Sequence, residues 1–446
     1  MTGQLSDVDV PALLPRGALV LPESAEVTLP SGLTVLAVRQ PSIPLVEMRL
    51  RIPCAEADSA TIALLADSLC SATSRTPTAE LAKRLQRMGG SLSATVDADR
   101  LLFLGSALAA HLGDLLDLLG EVLTAASYPE VETAQRAARF ADALRVVKVQ
   151  QGHRALEALN RRLYGDHVYA RPTPSPEDVL AVTPADLVAL HAERVRAASA
   201  CLVLAGDLDP QQALRTAERA LSGFAGGGEP VRHRPLPACR GGTPIGLLDA
   251  PGAVQSSVRL ALPCPGPGAA DFAELDLANL IFGGIFSSRL AANLREDKGY
   301  TYSAKSTVVS PQAGSAVAVL ADVATAVTAP AVLEIGYELG RMACTPVRAA
   351  EVDQAREYLL GVRQLSMSTQ SGLANLVSEL AAQGLRLDWL GEHASRLVDA
   401  DVPAVTEAAA RYLNPPSAVV VVVGDAAEVA APLAALMPVS RNGVEP

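Results

Sequence analysis

His111, His153, His167, His191, His233 and His393 are the imidazoles from which a metal or acid–base site could be built. No two lie closer than 14 residues. A helix presents chelating ligands on one face at i and i+4, so this spacing offers no pair of that kind. Taken singly, each reads as a surface or capping residue. Cys54, Cys70, Cys201, Cys239, Cys264 and Cys344 form no C-x-x-C pair and read as reduced core thiols, not as a metal knuckle. There is no G-x-S-x-G elbow for a nucleophilic serine and no Walker loop for a phosphate. The Gly226–Gly228 run has no strand before it and no Lys-bearing helix after it, so it reads as a flexible link. The turn at Gly206 has too few glycines for a dinucleotide site.

The elements that would position any site fill a long chain. Its 446 residues exceed one compact core and predict two domains of roughly 200 residues each. The net charge is −11 and no block of Lys and Arg stands out, which argues against a nucleic-acid surface. The longest strongly apolar run, around Val419–Val423, is far too short to span a bilayer. The opening residues are acidic first, with a lone Arg16, and lack the charged and apolar regions of a signal segment. These features predict a cytoplasmic protein.

The chain is written twice. Ala200–Pro210 (ACLVLAGDLDP) and Ala418–Glu428 (AVVVVVGDAAE) each run from apolar residues through Gly-Asp into a helical stretch, and Gly206 and Gly424 are 218 positions apart. Val46–Cys54 and Val254–Cys264 each alternate and break at a proline, with Pro53 and Pro263 separated by 210. An apolar helix follows each, near Ile62 and Phe272. Alternating strands come next, at Ser91 and Leu101 in the first half and at Tyr300 and Ser315 in the second. Long helical stretches close each half, over 112–126 and 130–164, then over 325–343 and 348–383.

This order predicts an α+β fold of two homologous domains. Each is a mixed β-sheet with helices packed on one face, and the two face each other across a chamber. The expected division is 1–222, a Gly/Pro-rich linker at 223–245, and 246–446.

Four stretches carry a resemblance: LPSGLTVLAV from Leu29, LYGDHVYARPTPSPEDVLAVTPADLVALHAERV from Leu163, ACLVLAGDLDP from Ala200, and FGGIFSSRLAANLREDKGYTYSA from Phe282 to Ala304. Together they resemble the insulinase/pitrilysin-type zinc peptidases, in the branch of the mitochondrial processing peptidase and the bacterial two-subunit enzymes. The likeness runs from about Leu29 to Pro438.

The resemblance implies where a metal site should lie. Active members carry an inverted motif, His-x-x-Glu-His, whose two His bind zinc and whose Glu activates water. The matching run here is Ala63-Leu64-Leu65-Ala66-Asp67. Both His and the general base are gone. The family's third ligand is a downstream Glu, yet no glutamate lies between Arg136 and Leu156. Asp67 and Asp142 alone would suit Mg²⁺ or Ca²⁺ better than Zn²⁺, and they read instead as surface or helix-end acids. No cofactor is expected in this chain.

The other half of the family's site is retained. The resemblance assigns Arg295 and Tyr302, seven residues apart, to holding a peptide carbonyl and steadying the oxyanion formed on attack. Gly283 and Gly284 would permit close backbone approach near the substrate, and Ser288 would contact it. The expectation is a non-catalytic, substrate-binding subunit of a heterodimeric zinc peptidase acting on unfolded, precursor or leader peptides. A homologous partner bearing His-x-x-Glu-His would hold the zinc. The alternative is a structural or assembly protein of the same fold with no part in proteolysis.

Overall fold

The computed structural model describes residues 19–54, 57–224, 226–227, 234–237 and 242–441. The opening residues, His233, Cys239 and part of the expected 223–245 linker lie outside them. Among the described residues no helix is long and apolar enough to cross a membrane.

Two six-stranded mixed sheets carry the fold. The first contains β1 (Ser24–Thr28), β2 (Thr34–Arg39), β3 (Leu45–Pro53), β4 (Ser91–Val96), β5 (Arg100–Leu108) and β6 (Cys201–Gly206), in the order β1-β2-β6-β3-β5-β4. The second contains β7 (Ile245–Asp249), β8 (Gln255–Cys264), β9 (Ala304–Val309), β10 (Ser315–Ala324), β11 (Val419–Gly424) and β12 (Val439–Arg441), in the order β12-β7-β11-β8-β10-β9. The internal repeat is thus a repeat of topology. In each half the last major strand, β6 or β11, inserts between two early ones. It runs parallel to one neighbour and antiparallel to the other. The outermost strands differ, since β1 pairs antiparallel with β2 whereas β12 pairs parallel with β7.

The Gly-Asp turns have a steric cause. A Cβ on Gly206 would lie 2.3 Å from the Leu45 carbonyl oxygen, and one on Gly424 would lie 2.3 Å from Ser256 Oγ. Each glycine ends a strand that crosses close against its antiparallel neighbour.

Each half packs its own helices on one face of its sheet. The second face carries a helix from the other half. The stretch 130–164, read as continuous helix, divides into Glu130–Lys148 and Gln151–Tyr164. The stretch 348–383 divides likewise into Ala349–Ser368 and Gln370–Ala382. The second piece of each crosses over. Ala155, Ala158 and Leu159 pack against Val419, Val421 and Val423 of the second sheet. Leu373, Ala374 and Val377 share a core with Val203 and Ala205 of the first. Successive residues of a strand point to opposite faces. Leu202 and Leu204 therefore join the first half's own core while Val203 and Ala205 meet the exchanged helix. This is why β6 and β11 are almost continuously apolar.

Each exchange is accompanied by a buried arginine. Arg49 of β3 and Arg259 of β8 are 210 positions apart, the same offset as Pro53 and Pro263. Arg49 donates from Nε to Asn375 Oδ1 at 2.6 Å and from Nη2 to Ser371 Oγ at 2.9 Å, both on the exchanged helix, and pairs with Glu47 at 2.8 Å. Arg259 pairs with Asp322 at 2.9 Å. It lies beneath the other exchanged helix at Gly152, where a Cβ would come within 2.7 Å of its Nη2. The hairpin turns also meet, where Gln312 N donates to Asp99 Oδ2 at 3.0 Å.

Removing one member of a buried charge network leaves the others desolvated and unpaired. Arg49→Ala is expected to lower the unfolding free energy by about 3 kcal/mol, and Arg259→Ala by less, because its partner Asp322 is largely exposed. Urea titration followed by circular dichroism measures this, and each should keep a single transition because the halves share helices.

Candidate functional site

The segment from Leu280 to Tyr302 is built from interrupted helix. The helix Phe272–Asn279 runs into a wider π turn at Leu280–Gly284, and a second π turn spans Ala292–Asp297. Such turns insert an extra residue per turn and often re-aim side chains at functional places. Gly283 is required by packing, since a Cβ there would lie 2.7 Å from Ser306 Oγ on β9. Gly284 faces Leu280 and Asn279 in the same way. Ser288 is buried, and its Oγ accepts from Ala291 N at 3.4 Å as the cap of the short helix Arg289–Ala291.

Polar clamps hold this segment to two helices. Arg289 grips Glu351 through both nitrogens, Nε to Oε1 at 2.9 Å and Nη2 to Oε2 at 2.7 Å. Burial works to raise the Glu351 carboxyl, but hydrogen bonds from Arg289 and Arg348 outweigh it and hold it at about 2. Asn293 Nδ2 donates to Glu334 at 2.9 Å and Glu338 at 2.8 Å, on the helix Thr328–Cys344. Leu290 and Leu294 are fully buried on the core side.

Arg295 and Tyr302 are brought together on the exposed side. The sequence pattern predicts a strand from Tyr300, but β9 begins only at Ala304. Thr301 is the reason. Its Oγ1 donates to the Asp322 carbonyl at 2.7 Å and accepts from Ser303 N at 3.1 Å, which bends the chain before the strand. Tyr302 is thereby turned outward, 90% exposed. The Arg295 guanidinium carbon lies 5.7 Å from its ring centre, and Arg295 Nε is 3.1 Å from Glu296 Oε1.

The positions that the resemblance matches to the zinc motif lie on the helix Ser59–Leu69. Ala63, Ala66 and Asp67 line a cleft of about 530 Å³ beside Ala94 and Val96 of the edge strand β4. Neither Arg295 nor Tyr302 lines that cleft, so one chain does not assemble both sets. The residues present do not fit a metal. Ala63 and Ala66 bring no donor atoms. Asp67 is occupied by Arg136, whose Nη1 donates to its carboxylate at 3.0 Å and its carbonyl at 2.8 Å. Asp142 pairs with Arg145 at 2.6 Å. Among the described residues no group of three or more His, Cys, Asp or Glu is placed to hold a metal ion.

Three of the histidines, His167, His191 and His393, are engaged inside the fold. His167 caps a 3-10 turn, His191 bonds Tyr128 at 2.6 Å, and buried His393 stacks on Trp389 at 4.4 Å. Cys54 and Cys70 are thiols that burial pushes up to about 12, which leaves them unreactive.

Comparison with known proteins agrees with this geometry. Residues 62–177 match the family described as insulinase (peptidase family M16), and residues 181–359 match the peptidase M16 inactive domain. The chain belongs to the insulinase family of peptidases. An uncharacterised zinc protease of Mycobacterium tuberculosis is 26% identical over 293 residues, which is 63% of this chain and 66% of that protein. The chain thus spans just under two thirds of the length of that relative. Two solved structures share the fold. A peptidase M16 inactive domain from Pseudomonas fluorescens superposes with a TM-score of 0.83 at 21% identity, covering 90% of this chain and 98% of that one. A protease from Helicobacter pylori gives 0.81 at 20% identity, covering 90% and 100%.

Within this family the chain is a non-catalytic member, and Ala63, Ala66 and Asp67 offer no metal-binding set. Sequence reasoning missed three residues around the candidate sites: Arg136, which fills the charge role beside Asp67; Arg289, which fixes the motif; and Phe286, whose ring lies against Arg295. Arg289 and Phe286 both lie in the quoted family stretch, whereas Arg136 gave no signal.

Restoring the motif with Ala63→His, Ala66→Glu and Asp67→His leaves the Arg136 guanidinium beside the intended metal. That variant is expected to retain no stoichiometric zinc after dialysis, by elemental analysis, and adding Arg136→Glu is expected to raise the uptake. The acid clamp gives a pH prediction. Glu351 sits below its ordinary 4.5, so its contribution is present above that pH and is lost as pH falls towards about 2. The thermal midpoint of Glu351→Gln should therefore fall less steeply than that of the wild type between these values.

Proposed function

We propose that this chain is the non-catalytic, substrate-binding subunit of a heterodimeric zinc metallopeptidase. The observation that carries the reading is a contrast within one chain. The positions matched to the zinc motif lack donors, while a half-buried Arg295 and an exposed Tyr302 stand together at the surface. A scaffold has no use for a guanidinium–phenol pair set at the surface by a clamped segment.

A guanidinium offers planar N–H donors and a phenol one O–H donor, and both suit a carbonyl oxygen that gathers negative charge. Zinc and the water-activating carboxylate would come from a homologous His-x-x-Glu-His partner. Arg295 and Tyr302 would reach the scissile carbonyl across the interface. The substrate class is an unfolded peptide, a precursor or leader peptide among them, taken up as an added strand. β4 and β9 are the edge strands at corresponding ends of the two sheets. Main-chain pairing at such an edge asks little of side-chain identity. A cytoplasmic place accords with the unpaired thiols.

The test is reconstitution. This chain alone should cleave no peptide, and mixing it with a His-x-x-Glu-His partner should create activity. Arg295→Ala and Tyr302→Phe should then lower kcat/KM by about 10²-fold, the usual loss of one oxyanion donor, without dissociating the complex on size-exclusion chromatography. Unchanged turnover in both variants would make the chain a structural subunit instead.

A further inference from the structure

Phe286 is placed where burial gives it little. It is 71% exposed, in the short turn between the π turn at Leu280–Gly284 and the helix capped by Ser288. Its neighbour Ile285 packs against the core, so the extended backbone sends Phe286 to the opposite side. There its ring centre lies 3.7 Å from the Arg295 guanidinium carbon, which is van der Waals stacking distance. The ring of Tyr302 stands at 5.7 Å from the same carbon.

We infer that Phe286 is a positioning residue for Arg295, an inference that rests on the reading of Arg295 as a carbonyl ligand. A stacked ring occupies the face of the guanidinium and leaves the N–H donors, which lie in its plane, unobstructed. Glu296 Oε1 makes its ion-pair contact at Nε, 3.1 Å away, so Nη1 and Nη2 remain for an incoming carbonyl. A free arginine side chain samples many rotamers and must give up that freedom on binding. The ring and Glu296 remove it beforehand, which is preorganisation of the donor. The turn that carries Phe286 is itself fixed by the approach of Gly283 to Ser306 and by the Ser288 cap. This gives the glycine pair a role in aiming Arg295 without touching substrate.

Two measurements test the inference. In the full chain labelled with ¹⁵N-arginine, with Arg295→Lys to assign the signal, the Arg295 Nε–H resonance should be motionally restricted and shifted by the ring. Phe286→Leu should abolish both effects and Phe286→Trp should restore them. An unchanged resonance in Phe286→Leu overturns the stack. In the reconstituted complex, with a quenched fluorescent unstructured peptide as probe, Phe286→Leu should lower kcat/KM about two- to five-fold, the scale of an exposed cation–π contact, and Phe286→Trp should recover it. Wild-type turnover in Phe286→Leu alongside slow turnover in Arg295→Ala overturns the positioning role alone. Wild-type turnover in both overturns the carbonyl-ligand reading, and the inference falls with it.

Discussion

The exchange of helices between the two sheets is the constraint on which the rest depends. A sheet buried on both faces needs apolar side chains on both, and β6 and β11 supply them. The helices Gln151–Tyr164 and Gln370–Ala382 cover the second faces, each from the opposite half. Neither half could bury its own sheet with its own helices alone. The chain is therefore tied into one body by hydrophobic burial, with Arg49 and Arg259 reaching from the sheets to the exchanged helices. Gly372 sits at the start of its helix because a Cβ there would lie 2.2 Å from the Ser366 carbonyl oxygen, and Gly152 at the start of the other leaves room for the Arg259 guanidinium.

That rigid body sets the two candidate regions apart. The helix Ser59–Leu69 packs on the first half's own core, with Ile62, Leu64 and Leu65 inward. Its cleft face now bears two alanines and an aspartate already satisfied by Arg136. Electrostatically the guanidinium answers the lone carboxylate, so the loss of donors leaves no unpaired charge behind. The retained motif follows the opposite logic. Leu290, Leu294, Arg289 and Asn293 are all used for anchoring, and what they leave outside is Arg295 between two exposed rings.

Much of this was legible beforehand, for identifiable reasons. Strand and helix periodicity depends on local alternation, so the strands at Ser91, Leu101 and Ser315 lie where the pattern puts them. Topological repetition showed itself through Gly206, Gly424, Pro53 and Pro263, residues fixed by backbone geometry. The breaks near Val149 and Thr369 were hidden because helical propensity continues across them. Capping by the Thr369 side chain and the need to cross between halves end the first helix of the second pair. Tyr302 was read onto a strand because Tyr300–Val309 alternates. The Thr301 hydroxyl overrides that pattern by bonding to Asp322, a residue distant in sequence.

The sequence by itself determined the family, the doubled plan, the absence of histidine and glutamate from residues 63–67, and the presence of Arg295 and Tyr302. These are matters of residue identity and order. Only the tertiary structure decided that Asp67 belongs to Arg136, that Ser288 is a buried cap, that each sheet borrows a helix from the other half, and that Phe286 lies flat on Arg295. Each of those is a contact between groups whose meeting depends on how whole elements pack, and packing is settled by burial of surfaces that no local pattern records.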